Sequence, residues 1–260
     1  MKHISNIEEL HGILLGIGKE FHRICIENNI PYYMLGGTML GAVRHKGFIP
    51  WDDDMDFGVP REYFEKLKVA LNRNLNSRYE MQTLDNSDAL ILDMIKIKDC
   101  RTKLVEIFKE NVESNGINID IFPLDNATSK IGKFKQIHKV IRLQEYRFLS
   151  MKPLPVFKKS IAVALKILLV GIKKRTLINY INNNLIEKNG DYITNIYGAW
   201  REKETVPKNV MGTPTLYDFE DIQLCGVADY DSYLKSLYGD YMKLPPEEKR
   251  HIHLVNAFWK

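Results

Sequence analysis

Residues 35–57 read LGGTMLGAVRHKGFIPWDDDMDF, and the rest of the chain is best understood outward from them. The stretch opens with Gly36-Gly37 and closes with Asp52, Asp53, Asp54 and Asp56, with Arg44, His45 and Lys46 between. From Asp54 to Val59 polar or small residues alternate with apolar ones, the period of a half-buried strand. Met55, Phe57 and Val59 then face a core, and Asp52, Asp54 and Asp56 face away from it. Along such a strand Asp54 and Asp56 stand about 7 Å apart. Carboxylates this crowded repel one another and are costly to bury without a counter-charge. A hard divalent cation supplies one.

Upstream, Tyr32–Leu35 reads as a short strand that Gly36-Gly37 turns, and Thr38 is placed to cap a helix running through Arg44. Free amides at a helix start favour phosphate, and Thr38 adds a hydroxyl. Before it, Ile7, Leu10, Leu14, Ile17, Phe21 and Ile24 mark an amphipathic helix ending near Asn28-Asn29. Downstream, Pro60 suits the first turn of a helix to about Leu75, with Tyr63, Phe64, Leu67 and Leu71 inward. Tyr79–Leu84, Ala89–Lys98, Lys103–Phe108 and Gly116–Phe122 read as strands, the last closed by Pro123. Asp120 stands alone there among Ile119, Ile121 and Phe122, and its natural role is to join Asp54 and Asp56 from a neighbouring strand.

Glycine amides, basic groups and carboxylates together make an inventory for phosphoryl transfer. Plainer readings stand beside it. Asp52 and Asp53 serve equally as turn caps paired with lysines. The glycine pair also suits backbone geometry alone. Arg44, His45 and Lys46 fit a solvated loop at a helix C-terminus as well as phosphate ligands, with Arg44 able to bind in a bidentate manner.

The 260 residues are 45% hydrophobic and 27% charged, an ordinary globular composition. A net charge of +4 and the lack of a recognised motif argue against a nucleic-acid partner. Cys25, Cys100 and Cys225 show no metal or redox spacing, and the polar start from Met1 to Leu10 does not read as a signal peptide. A cytoplasmic protein is expected. From Ser129 the character changes to helices rich in Lys and Arg, which divides the chain into residues 1–127 and 128–260. The tail from about Thr205 mixes turns and short elements, with a helix over Tyr230–Leu237. The pattern is α+β: a mixed sheet flanked by helices, then a mainly helical C-terminal part. Within that part SIAVALKILLVGI (160–172) lies between Lys158-Lys159 and Lys173-Lys174-Arg175. It is too short to span a bilayer. A buried helix with charged ends is the preferred reading, and a helix lying on an anionic membrane surface is the other.

These residues resemble the LicD family, with its fukutin-related relatives, within the nucleotidyltransferase-fold superfamily. The superfamily pattern is a Gly-Gly or Gly-Ser turn, then Asp-apolar-Asp-apolar, then a third acid on a later strand. Here it is Gly36-Gly37, Asp54-Met55-Asp56-Phe57 and Asp120. The narrower signature is the whole run over 36–58, and NIDIFPLD (118–125) and YGDYMKLPPEEKR (238–250) also look like the family. The resemblance implies a nucleotidyltransferase-like core in 1–127, with 128–260 completing the cleft. It implies a phosphotransferase moving a phosphoryl-alcohol group, typically phosphocholine, from a CDP-linked donor to a sugar, with CMP released. The acceptor is a cell-surface glycan or its lipid-linked precursor, of the lipopolysaccharide or teichoic acid kind. Relatives use other donors, CDP-ribitol among them. Asp54, Asp56 and Asp120 take the metal and catalytic roles, with Mg²⁺ expected and Mn²⁺ as its substitute. Gly36, Gly37 and Thr38 take the phosphate turn, and Arg44 and His45 further substrate contacts. A choline head group needs aromatic faces, for which Trp51, Tyr197, Trp200 and Tyr217 are candidates. A lipid-linked acceptor implies a place at the inner face of the membrane. The alternative activity is a nucleotidyltransferase that uses CTP or another nucleoside triphosphate and releases pyrophosphate.

Overall fold

The computed structural model describes residues 1–87, 90–105, 116–129, 133–148, 156–250 and 256–260. After β1 (Lys2–His3), helix α1 (Ile7–Glu27) starts at Asn6, whose side chain accepts the Glu9 amide at 2.8 Å. Its stripe Leu10, Leu14, Ile17, Phe21 and Ile24 is buried, as the three- and four-residue steps require. β2 (Tyr33–Met34) runs almost directly into α2 (Gly36–His45). Thr38 does not cap α2: the helix starts two residues earlier, after Leu35, and no side chain caps it. β3 (Asp56–Pro60) leads into α3 (Arg61–Asn74), which buries Phe64, Leu67 and Leu71 and leaves Tyr63 partly exposed. Pro60 precedes the first turn rather than occupying it.

Four strands follow: β4 (Tyr79–Gln82), β5 (Ile95–Asp99), β6 (Thr102–Val105) and β7 (Asn118–Ala127). The strand expected from Ala89 begins only at Ile95, and 88–89 and 106–108 lie outside the described residues. Pro123 does not close β7, which continues to Ala127. The Asp120 amide donates to Met55 O across the β3 side, so the Pro123 nitrogen faces the β5 side. Pairing with β5 ends there at Ile121, and a missing N–H costs nothing.

Helices α4 (Phe134–Phe148), α5 (Val156–Leu168) and α6 (Lys174–Tyr180) come next, α6 continuing as a π-helical turn, Ile181–Leu185. The chain then returns to strand with β8 (Tyr192–Thr194), a 3₁₀ turn at Arg201–Glu204, and β9 (Thr205–Pro207). Short α7 (Lys208–Met211), the hairpin β10 (Thr215–Phe219) and β11 (Ile222–Gly226), α8 (Tyr230–Tyr238) and β12 (Asn256–Trp259) complete it.

The main sheet is mixed. Its order is β2-β3-β7-β5-β4, with β8 and β9 continuing from the far end of β7. β3 and β7 are parallel; the other pairs are antiparallel. Strands from beyond residue 127 therefore extend the sheet begun before it. α1 and α3 cover one face, with Phe21 of α1 4.8 Å from Phe57 of β3 between ring centres. A second, smaller core of Leu84, Ile137, Ile141, Ile178, Ile181, Leu185 and Ile196 joins α4 and α6 to the sheet's margin. The preferred buried reading of the 160–172 segment is corrected: α5 packs on α4, yet Val163, Ile167 and Leu168 are exposed.

Candidate active site

Parallel pairing sets Asp56 of β3 opposite Asp120 of β7, and β5 sets Lys96 opposite Asp120 on the other side. The three form one row across adjacent strands, spaced by about 5 Å. Alternation that buries Phe57, Ile95, Ile97 and Ile121 sends this row to the face away from α1. Lys96 Nζ lies 2.6 Å from Asp120 Oδ1, and Asn118 Nδ2 donates to the same oxygen at 2.8 Å.

The start of α2 is laced to the acidic strand. Leu35 N–H donates to Asp56 O at 2.9 Å, and Asp56 N–H donates to Oγ1 of buried Thr38 at 2.8 Å. Gly36 has φ +49°, and a Cβ there would stand 3.9 Å from Asp56 Oδ2. At Gly37 the Asp52 carboxylate takes the space of a side chain: a Cβ would lie 2.5 Å from its Oδ2. The positive end of α2 thus meets two carboxylates. Asp56 is still pushed well above the usual carboxylate range, first by desolvation, then by Asp54, Asp120 and Glu204. Burial, with Asp54 and Asp53, pushes Asp52 up to about 7. Asp54 is exposed just before β3.

Residues from beyond 200 close over this face. Tyr233 Oη accepts the Gly36 N–H at 3.1 Å. The Tyr238 hydroxyl stands 3.6 Å from the space beside Gly36, and burial with Asp52, Asp56 and Glu204 raises its pKa. Trp200 meets Tyr238 edge-on at 4.9 Å. Buried Glu204 accepts Trp200 N–H at 2.8 Å and Asn195 Nδ2 at 2.9 Å, and burial pushes it up to about 7. The sequence alone marks none of these as an acid or hydroxyl of the site. Lys96 was legible: in Ile95-Lys96-Ile97 it is an apolar-flanked charge on a strand, as Asp120 is. Glu204 carries no local signal.

The basic residues form a rim. Arg44 Nη1 donates to Tyr241 O at 2.8 Å and Nε to His45 Nε2 at 2.9 Å. Burial lowers both pKa values, helped by Arg250 at Arg44 and by Arg44 at His45. Arg250 lies 5.1 Å over the Trp51 ring, with Nε donating to Pro245 O, and His45 meets Trp51 edge-on at 6.4 Å. Lys46 is exposed at the left-handed end of α2, and Asp240 is exposed as well. The four aromatic candidates do not cluster. Tyr217 donates to Val227 O and meets Tyr230 on the hairpin side. Tyr197 lies among Arg61, Asp93 and Asp125.

The family described as LicD/FKTN/FKRP, nucleotidyltransferase domain, matches residues 29–160. The lipopolysaccharide cholinephosphotransferase LicD of Haemophilus influenzae is 31% identical over 260 residues, 96% of this chain and 96% of that one. The chain belongs to the LicD family. It is a phosphotransferase of the LicD type. Two uncharacterised proteins, of Rickettsia prowazekii and Rickettsia typhi, are each 52% identical over 44 residues, 17% of this chain and 16% and 14% of theirs. The matched LicD domain contains α2, β3, β5 and β7, hence the whole row from Asp56 to Lys96. Glu204, Tyr233 and Tyr238 lie beyond it.

Among the described residues no group of three His, Cys, Asp or Glu side chains converges closely enough to hold a metal ion. The carboxylates of Asp54, Asp56 and Asp120 are nonetheless of a kind that suits a hard cation: they offer only oxygen, and burial together with mutual repulsion raises the proton affinity of Asp56.

Proposed function

We propose that this protein transfers a phosphoryl-alcohol group, phosphocholine first among them, from a CDP-linked donor to a sugar hydroxyl, releasing CMP. The acceptor is a cell-surface glycan or its lipid-linked precursor. The observation that carries the reading is the Asp56–Asp120–Lys96 row beside the glycine start of α2. Similarity to a lipopolysaccharide cholinephosphotransferase along nearly the whole chain supports it. Residues 1–127 supply the acid row, and Glu204, Tyr233 and Tyr238 of 128–260 stand beside it.

Asp54, Asp56 and Asp120 would hold Mg²⁺ or Mn²⁺, which when bound neutralises charge on the donor's phosphate oxygens. Gly36, Gly37 and Thr38 put a helix start beside those acids, with Thr38 buried on the Asp56 amide and the Gly36 N–H given to Tyr233, and Arg44 and His45 add basic groups at the rim that suit the remaining phosphate oxygens. Two donors fix the orientation of Asp120 Oδ1, which suits this carboxylate to align the acceptor hydroxyl and take its proton. The sugar oxygen bonds to phosphorus as the bond from phosphorus to the CMP oxygen breaks. The Trp200–Tyr238 pair offers aromatic surface to a quaternary ammonium, whereas one face of Trp51 is taken by Arg250. A cytoplasmic site, peripheral to the inner face of the membrane, suits a CDP-linked donor and a lipid-linked acceptor.

The test is CMP release from CDP-choline, CDP-ribitol, CDP-glycerol and CDP-ethanolamine, with Mg²⁺, Mn²⁺ or EDTA, in the presence of a glycan extract. Metal-dependent CMP from one donor, lost in Asp54→Ala, is the expected result. Pyrophosphate from CTP, with no CMP from any of the four, would replace the proposal with the nucleotidyltransferase reading.

A further inference from the structure

Helix α5 inverts the usual arrangement of a surface helix. Ser160, Val163, Ala164, Ile167 and Leu168 follow at three- and four-residue steps, and all five are exposed. That spacing places them on one face, which carries no charge. Ile167 is 68% exposed and Leu168 77%, with Val170 at 72% in the turn beyond. The partly buried residues of this stretch include Lys166, the one charge inside the run. Large apolar side chains gathered on a solvent face mark a contact surface.

The charges around the face say what it contacts. Residues 156–175 contain Lys158, Lys159, Lys166, Lys173, Lys174 and Arg175, and no acid. Lys173 is exposed. Lys174 donates to Ser87 O and Leu90 O, and Arg175 pairs with Asp85, so this end of the segment is tied to the body of the protein. A second copy of the same face would bring cations against cations, which opposes self-association. An anionic lipid surface accepts both the apolar stripe and its flanking charges. No helix among the described residues is long and apolar enough to cross a membrane. We infer that α5 and the turn after it dock flat on an anionic lipid bilayer, with Val163, Ile167, Leu168 and Val170 entering the headgroup region. This holds whichever phosphoryl-alcohol group is moved.

Flotation of the full chain with phosphatidylcholine vesicles, with and without phosphatidylglycerol, tests the inference. Binding is expected to weaken roughly tenfold or more without phosphatidylglycerol, and to fall as salt screens the charges. The double variant Ile167→Glu/Leu168→Glu should lose binding by roughly tenfold or more, while its thermal melt stays at the wild-type value, because both side chains already stand in water. Leu168→Trp adds a direct reporter, whose emission should shift to the blue with anionic vesicles and be quenched by brominated lipid. Wild-type protein that stays unbound to anionic vesicles at low salt overturns the inference. So does binding that persists undiminished in the double variant, or a wild-type dimer whose dissociation is the variant's sole effect.

Discussion

At Asp56 one carboxyl is desolvated, and three further acids, Asp54, Asp120 and Glu204, act on it against the opposing charge of Lys96. Such an arrangement costs stability, and the cation proposed above would offset that cost. Asp56→Asn keeps the size and removes the charge. We expect it to fold with an equal or higher Tm and to lose transfer by at least ~10²–10³-fold, read as CMP release at saturating donor. Turnover near wild type would remove Asp56 from the chemistry. Glu204 titrates in the same sense. Its folded pKa, about 7, lies above its ordinary 4.5, so the native state binds the extra proton between these values. The stabilisation is full below the unfolded pKa and is lost as pH rises through about 7. The Tm of the metal-free protein should therefore fall between about pH 5 and pH 8. Glu204→Gln should shrink that fall without abolishing it, since Asp52 and Asp56 shift the same way. A wild-type melting profile flat across this window would contradict the burial of Glu204 as a half-protonated acid.

The start of α2 and the loop before β3 pack closely, with the Asp52 carboxylate in the space that a side chain at Gly37 would take. Gly37→Ala should cost about 1–3 kcal/mol by thermal or denaturant melts, since its Cβ meets Asp52 Oδ2 at 2.5 Å. Asp52→Ala opens that space, so the double variant should recover most of the loss; additive losses would show that the clash is not with Asp52. Much of this unit is legible in the sequence because its signals are local. Met55, Phe57 and Val59 alternate with the acids, and the α1 stripe repeats at helical steps. What escapes is register. Nothing within β5 says that Lys96 will stand opposite Asp120, nor within residues 195–204 that the charge of Glu204 will reach Asp56, because strand pairing and loop return are set by distant partners. Thr38 shows the same limit. A hydroxyl directly after a glycine pair reads as a cap, yet it holds the Asp56 amide of a strand 18 residues away. Pro123 has the usual meaning of a strand end, yet its nitrogen faces the β5 side, where pairing has already ended at Ile121, so β7 runs on. The composition of α5 suits a buried helix, and composition does not say which face finds a partner.

Across the whole molecule, one buried ion network ties the sheet to the helical region. Arg61, at the start of α3, donates Nε to Asp125 Oδ1 at 2.7 Å and Nη2 to Asp125 Oδ2 at 2.9 Å. Its Nη1 reaches Asp93 Oδ2 at 2.6 Å, and Asn182 of the π-helical turn donates to that same oxygen at 3.1 Å. Asp125 is 1% exposed, and burial raises its pKa against the pull of Arg61. A buried carboxylate that loses such a partner is far more costly than the pair itself is stabilising. Arg61→Met should cost roughly 3–5 kcal/mol, a Tm drop on the order of 10 °C. Arg61→Met/Asp125→Leu should recover much of it, because no uncompensated charge then remains. Asp125 lies five residues along β7 from Asp120, about 17 Å by strand rise, so the network supports the fold from outside the chemistry. The single variant, assayed well below its Tm, should keep kcat within a few-fold of wild type while Asp56→Asn does not. A loss of turnover in Arg61→Met equal to that of Asp56→Asn, with Tm unchanged, would instead place this network inside the reaction site.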